Sequence, residues 1–273
     1  MASLLTEPLD LLGQLRKLVE AALAGKRWDS FSHADTEALA FVHLANTDVA
    51  AIVTLGHETV DFVIPATGAA RSAFESVVTA AWMVAPDDAA ERDRRWLALF
   101  VEERSYWKRM VEEAKERNDT APIIAGLEHE HARVHKILAE VKPQFDAIGS
   151  PQPEKVPSMD VRLEAVGLRK QYVAYKTACQ LVHPAIRALS LVRDLGDHAQ
   201  GVDVASFGHR TRERDWIPAI LLGAESMYFG LETLGKRLQP SRDLYSEAVA
   251  PFNAVVDTVR RLVEAQPATP PHG

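Results

Sequence analysis

Apolar residues recur at every third or fourth position along the chain from about residue 8 to residue 145. This spacing places them on one side of an α-helix, whereas a half-buried strand needs alternation at every second residue. The first such segment shows the pattern clearly, because Leu9, Leu12, Leu15 and Ala22 form a single stripe after Pro8. The spacing therefore predicts an all-α fold, a bundle of about seven to nine helices.

The helix boundaries follow from proline, glycine and capping residues. Helices are expected near 8–24, 35–56, 58–84, 87–117, 121–146, 161–182, 184–195, 215–236 and 241–265. Gly56 is expected to end the second helix, and Pro65 to bend or begin the third. Three prolines make 149–160 a surface loop, and the polar tail 266–273 is expected to be disordered. We expect one helical domain over 1–265, interrupted by that loop.

Charge and cysteine content narrow the class of protein. With 31 Lys and Arg against 38 Asp and Glu, the formal net charge of −7 argues against a protein that coats nucleic acid by bulk electrostatics. The sequence contains no run of about 20 uninterrupted apolar residues, so no membrane span is expected. The first residues contain no basic segment ahead of an apolar one, so no secretion signal is expected. The single cysteine, Cys179, excludes an internal disulfide and a cysteine-built zinc site. These features predict a cytoplasmic protein that does not contact a membrane.

The first polar cluster lies on the third predicted helix. Arg71 and Glu75 are one helical turn apart within a segment of mostly apolar residues. A guanidinium and a carboxylate at this spacing can pair, and pairing makes the burial of either group tolerable. The pair is either a structural ion pair that sets helix register or part of a binding site.

The second polar cluster lies on the helix that ends before Pro184. Tyr175, Cys179 and His183 follow one another at intervals of four residues and share one helix face. A phenol, a thiol and an imidazole together could bind an anion, transfer a proton, or bond to backbone carbonyls. A Cys179–His183 nucleophile pair is an enzymatic alternative, although a free helical cysteine is usually a small buried apolar residue.

A third cluster has the spacing of metal ligands. Glu128 and His131 show the Glu-x-x-His pattern of carboxylate-bridged di-iron bundles, and His131 and His135 are one turn apart. A di-iron site needs a second such motif and further glutamates, and the sequence contains no second copy. A solvated helix face is favoured, and no cofactor is expected.

Three short motifs resemble a family of bacterial all-helical proteins of unknown function, over roughly residues 35–195. The motifs are Leu55-Gly56-His57, Arg71-Ser72-Ala73-Phe74-Glu75, and the segment from Tyr175 to His183. Cys179 stands where that family has serine. The resemblance implies that the family has a functional site formed by residues of these motifs, which are here Arg71, Glu75, Tyr175 and His183.

The same family is similar to the HEPN helical bundles, which place an arginine and a following histidine in a metal-independent ribonuclease site at a dimer interface. The nearest match here is Lys176 with His183. Lysine replaces arginine, and the two do not hold a phosphate in the same way. The resemblance implies RNA and a second copy of the chain as partners.

Three functional hypotheses follow. The leading one is an internal polar site formed by Arg71, Glu75, Tyr175, Cys179 and His183, which binds a small ligand or holds the bundle in register. The second is a HEPN-like ribonuclease of a defence or toxin system, with His183 and Arg71 as catalytic candidates. The third is a metal-binding bundle. The sequence does not decide whether the protein is an enzyme.

Overall fold

The fold is a bundle of α-helices, as the spacing of apolar residues predicted. The computed structural model describes residues 4–24, 32–147, 155–182, 212–238 and 243–264. These residues form α1 (Thr6–Leu23), α2 (His33–Glu58), α3 (Val63–Val84), α4 (Ala89–Glu116), α5 (Ala121–Ala147), α6 (Met159–Ala165), α7 (Tyr172–Val182), α8 (Ile217–Thr233) and α9 (Leu244–Glu264). Short 3-10 turns cover Val60–Phe62, Arg169–Gln171 and Glu213–Trp216, and Leu234–Leu238 is π-helical. The described part of the chain contains no strand.

Helix α3 lies at the centre of the bundle. It packs against α2, α8 and α7, and more lightly against α4 and α6. Its sequence is accordingly apolar around most of its circumference, with Phe74, Val77 and Met83 fully buried. Helices α1 and α9 cover α2 and α8 on the other side. A polar side chain on α3 is therefore surrounded by other helices unless it faces a gap between them.

The α4–α5 pair forms a hairpin that packs mainly on itself and touches the rest of the bundle through α2 and α3. An ion pair attaches it to the start of α2, with Arg92 Nε 3.2 Å from Asp35 Oδ1. Asp35 also completes a capping box with Ser32, which satisfies backbone N–H groups at the start of α2. One carboxylate thus caps one helix and anchors another.

The prediction of one continuous helix over 161–182 is wrong. The chain instead forms α6, turns through Val166–Leu168, and begins α7 after a 3-10 turn. Gly167 has a φ of 76°, a left-handed conformation that glycine adopts without steric cost and that ends α6. The apolar spacing continues across this turn, which is why periodicity alone merged the two helices.

Gly56 does not end α2, which continues to Glu58. A Cβ built on Gly56 would lie 2.5 Å from Leu9 Cδ1 and 3.0 Å from Trp216 Cζ3. Leu9 and Trp216 are both fully buried, so neither has room to move away. The glycine is explained by close packing of α2 against α1 and the turn before α8, and not by helix termination.

Other boundaries agree with the sequence. α2 is one continuous helix, and Pro65 lies in the first turn of α3, where proline is tolerated. The predicted helix 184–195 and the tail 266–273 lie outside the described residues, as does the first half of the predicted loop 149–160. The second half has no regular structure up to Ser158, and α6 begins at Met159.

Helix α2 is long and apolar enough to cross a membrane by length and composition. A core helix of a soluble protein passes the same test. Here α2 packs against α1, α3 and α8, and its residues Val42, Val49 and Ile52 are fully buried in that contact.

Candidate functional site

The first two predicted clusters meet where α3 crosses α7. A Cβ on Gly68 of α3 would lie 3.9 Å from Val182 of α7, whereas Glu75, two turns later on α3, contacts Tyr175, two turns earlier on α7. The two helices are therefore antiparallel. This crossing joins residues a hundred positions apart in the chain into one polar cluster.

Glu75 is the acceptor at the centre of this cluster. Arg71 Nε donates to Glu75 Oε1 at 2.9 Å, and Tyr175 Oη donates to the same oxygen at 2.7 Å. The Arg71 guanidinium lies 6.0 Å from the centre of the Tyr175 ring. Hydrogen bonds to a charged acceptor are stronger than neutral ones, so both donors hold the carboxylate firmly.

Burial and hydrogen bonding shift the pKa values of both donors. The pKa of Tyr175 is raised, first by burial and then by its hydrogen bonds to Glu75 and Cys179. Burial alone would lower the pKa of Arg71, but the hydrogen bond and negative charge of Glu75 outweigh it and raise the pKa. The phenol therefore stays protonated as a donor, and the guanidinium stays charged.

Cys179 lies one turn beyond Tyr175 on α7 and is buried. Its thiol contributes to the raised pKa of Tyr175, so it lies close to the phenol within the cluster.

Arg162 is a member of the cluster that the sequence analysis missed. It lies on α6, and its Nη1 donates to Thr79 Oγ1 at 2.5 Å. Thr79 in turn donates to the backbone carbonyl of Glu75 at 2.7 Å. Burial lowers the pKa of Arg162, and the negative charges of Glu75 and Glu102 oppose this effect. Met159 and Leu163 flank it in the sequence, but these apolar neighbours do not distinguish Arg162 from an exposed arginine.

The cluster opens toward solvent on the α3 side. The side chain of Arg71 is 25% exposed and that of Glu75 is 35% exposed, whereas Tyr175 and Cys179 are buried. Within the described residues both bonds to the Glu75 carboxylate fall on Oε1. No hydrogen bond from a described residue falls on Oε2.

His183 lies outside the described residues, so its predicted meeting with Arg71 stays a prediction. Lys176, the proposed partner of His183 in the HEPN-like arrangement, is exposed on α7 with its Nζ 5.4 Å from the centre of the Tyr172 ring. The ribonuclease hypothesis also stays a prediction.

The candidate metal ligands do not converge. Glu128 pairs with Lys115 at 2.6 Å, and the rings of His131 and His135 lie 6.4 Å apart on α5. Across the part of the chain that the structure describes, no group of three His, Cys, Asp or Glu residues is arranged to hold a metal ion.

Comparisons with known proteins identify a family but no characterised relative. The search of curated proteins and the search of solved structures each returned no significant match. A family model does match residues 41–201, which is more than half of the chain. The matched range includes α3, α6 and α7 and therefore all the described members of the polar cluster. The chain thus belongs to the DUF5677 family, which is described as a family of unknown function.

Proposed function

We propose that the Arg71–Glu75–Tyr175 cluster binds a small molecule that donates a hydrogen bond to Glu75 Oε2. The proposal rests on Glu75 Oε2, which accepts no hydrogen bond from a described residue. Two donors hold Oε1, while Oε2 belongs to a side chain that is about one third exposed. A network that only set helix register would gain most by closing all its acceptors inside the bundle, since a buried open acceptor costs free energy.

The charges around Glu75 indicate which kind of donor fits. Arg71 bonds to the Glu75 carboxylate directly, and Arg162 lies close enough for its charge to interact with Glu75. The guanidinium groups offset the negative charge of Glu75, so the carboxylate attracts a cationic ligand less strongly than an unpaired carboxylate would. We therefore infer a neutral donor, such as an amide or a nucleobase N–H. The lone cysteine supports a cytoplasmic location for this binding activity.

A thermal-shift screen of the full chain tests the proposal. The panel contains neutral amides and nucleobases at millimolar concentration, with primary amines of similar size as the cationic arm. We expect at least one neutral donor to raise the melting temperature and the amines to have no effect. Absence of any rise with neutral donors, or an equal rise with amines, would contradict the proposal.

Two variants separate binding from folding. Glu75→Leu removes the acceptor and should abolish the ligand-induced rise, whatever it does to the melting temperature without ligand. Tyr175→Phe leaves Oε2 in place and should retain the rise. If the rise survives in Glu75→Leu, the ligand binds elsewhere and the assignment is wrong.

A further inference from the structure

A pocket lies between the end of α3, the first turns of α4 and α6. Its walls are formed by Trp82, Glu91, Arg94, Arg95, Ala98, Pro157, Val161 and Ala165, and it encloses about 210 Å³. None of the residues of the Arg71–Glu75–Tyr175 cluster contributes to its walls. It is therefore a separate candidate site.

One wall of this pocket carries two arginines that share a single carboxylate. Glu91 Oε1 lies 3.4 Å from Arg95 Nε, and Glu91 Oε2 lies 2.5 Å from Arg94 Nη2. The two guanidinium groups and the one carboxylate give this wall one net positive charge, which favours binding of a single anionic group.

Arg95 is held in place by the end of α3. Its Nη1 donates to the Trp82 carbonyl at 2.5 Å, and its guanidinium lies 5.2 Å from the centre of the Trp82 ring. Carbonyls in the last turn of a helix lack intrahelical partners, which explains why an arginine from the next helix binds there. A positively charged wall with a fixed arginine loses little side-chain entropy when an anion binds.

The other wall is apolar and limits the size of the ligand. Ala98, Pro157, Val161 and Ala165 form it. A cavity of about 150 Å³ in another protein accommodates benzene, so about 210 Å³ has room for one ring with a carboxylate. A nucleotide or a peptide would extend beyond this volume into solvent.

We propose that this pocket binds a small monocarboxylate with one ring-sized apolar group. The carboxylate pairs with Arg94 and Arg95, and the ring packs against the alanine, proline and valine side chains. The chemistry follows from the net positive charge of one wall, the apolar surface of the other and the volume of the pocket.

Isothermal titration calorimetry of the full chain with benzoate tests this inference, with benzamide as a neutral molecule of the same shape and acetate as a carboxylate without the ring. We expect benzoate to bind more tightly than either by roughly tenfold or more, because each lacks one of the two recognition elements. Equal binding of benzoate and benzamide, or no binding of benzoate at millimolar concentration, would overturn the proposal.

Two variants and a matched control locate the site. Arg94→Gln should weaken benzoate binding by roughly tenfold, since it removes a charge-assisted contact. Ala165→Trp should block the pocket while all its charges remain. Arg109→Gln changes an exposed arginine on the same helix, paired with Glu113, and should leave binding unchanged. An equal loss in Arg109→Gln would show that net charge, and not the pocket, determines binding.

Discussion

Glu75 connects three helices, through its side chain and through its backbone carbonyl. It lies on α3, accepts from Tyr175 of α7 through its carboxylate, and is linked through Thr79 to Arg162 of α6. Removing the carboxylate would leave the buried Tyr175 hydroxyl without its carboxylate acceptor. The cost of such a buried donor commonly exceeds the net gain of the bond itself.

The Glu75–Tyr175 bond can be measured by a double-mutant cycle. Glu75→Leu and Tyr175→Phe should each destabilise the protein, and their coupling free energy should be about 1 kcal/mol, since the carboxylate is partly exposed. Urea unfolding of the four proteins gives this value. Pairing Tyr175→Phe with Glu116→Leu, an exposed position far along α4, should give no coupling; coupling of similar size there would contradict the interpretation.

For single residues, the sequence predicted the Arg71–Glu75 pair and missed Arg162. Arg71 and Glu75 are one turn apart, so helix geometry alone brings their side chains together. Arg162 enters the cluster because α6 crosses α3, and its neighbours Asp160 and Glu164 resemble an ordinary solvated helix face. No local pattern distinguishes such an arginine from an exposed one.

Among the helices, glycine positions reveal how closely the elements pack. Gly56 of α2 faces Leu9 and Trp216 at distances shorter than a Cβ tolerates, whereas a Cβ on Gly126 of α5 would meet nothing within 4 Å. Both lie inside helices, where glycine costs about 1 kcal/mol relative to alanine. Substitution at Gly126 therefore tests helix propensity alone, whereas substitution at Gly56 also tests packing.

The alanine substitutions should have opposite effects on the free energy of unfolding. Gly126→Ala should stabilise the protein by about 0.5–1 kcal/mol, through helix propensity alone. Gly56→Ala should destabilise it by about 1 kcal/mol or more, because overpacking a filled core outweighs propensity. Urea unfolding checks both. Stabilisation by Gly56→Ala would show that Leu9 and Trp216 can move aside.

For the molecule as a whole, a buried carboxylate makes stability depend on pH. Burial raises the pKa of Glu225 on α8 to about 7. Its Oε2 is buried and has no hydrogen-bond partner within the described residues. The folded state therefore binds a proton that the unfolded state has already released once the pH exceeds about 4.5. This group lowers stability progressively as the pH rises from about 4.5 to about 7, and the loss persists above that range.

Glu225→Gln should remove this dependence, because an amide resembles the protonated carboxyl in size and polarity. At pH 8 the variant should be more stable than the parent by on the order of 2–3 kcal/mol, since each pKa unit corresponds to about 1.4 kcal/mol. At pH 4 the two should be nearly equal. Urea unfolding at both pH values tests this. The exposed Glu116→Gln is the control, and an equal gain in that variant would contradict the assignment to Glu225.

The sequence by itself determined the helical class, most helix positions and the Arg71–Glu75 pair, because these depend on spacing within a single helix. The tertiary structure decided which helices cross, and so placed Tyr175 and Arg162 beside Glu75 and built the Arg94–Arg95 pocket. It also separated α6 from α7 at Gly167 and explained Gly56 by packing. Apolar periodicity identifies the buried face of a helix but not the helix that covers it, so contacts across the bundle are decided only when the whole chain packs.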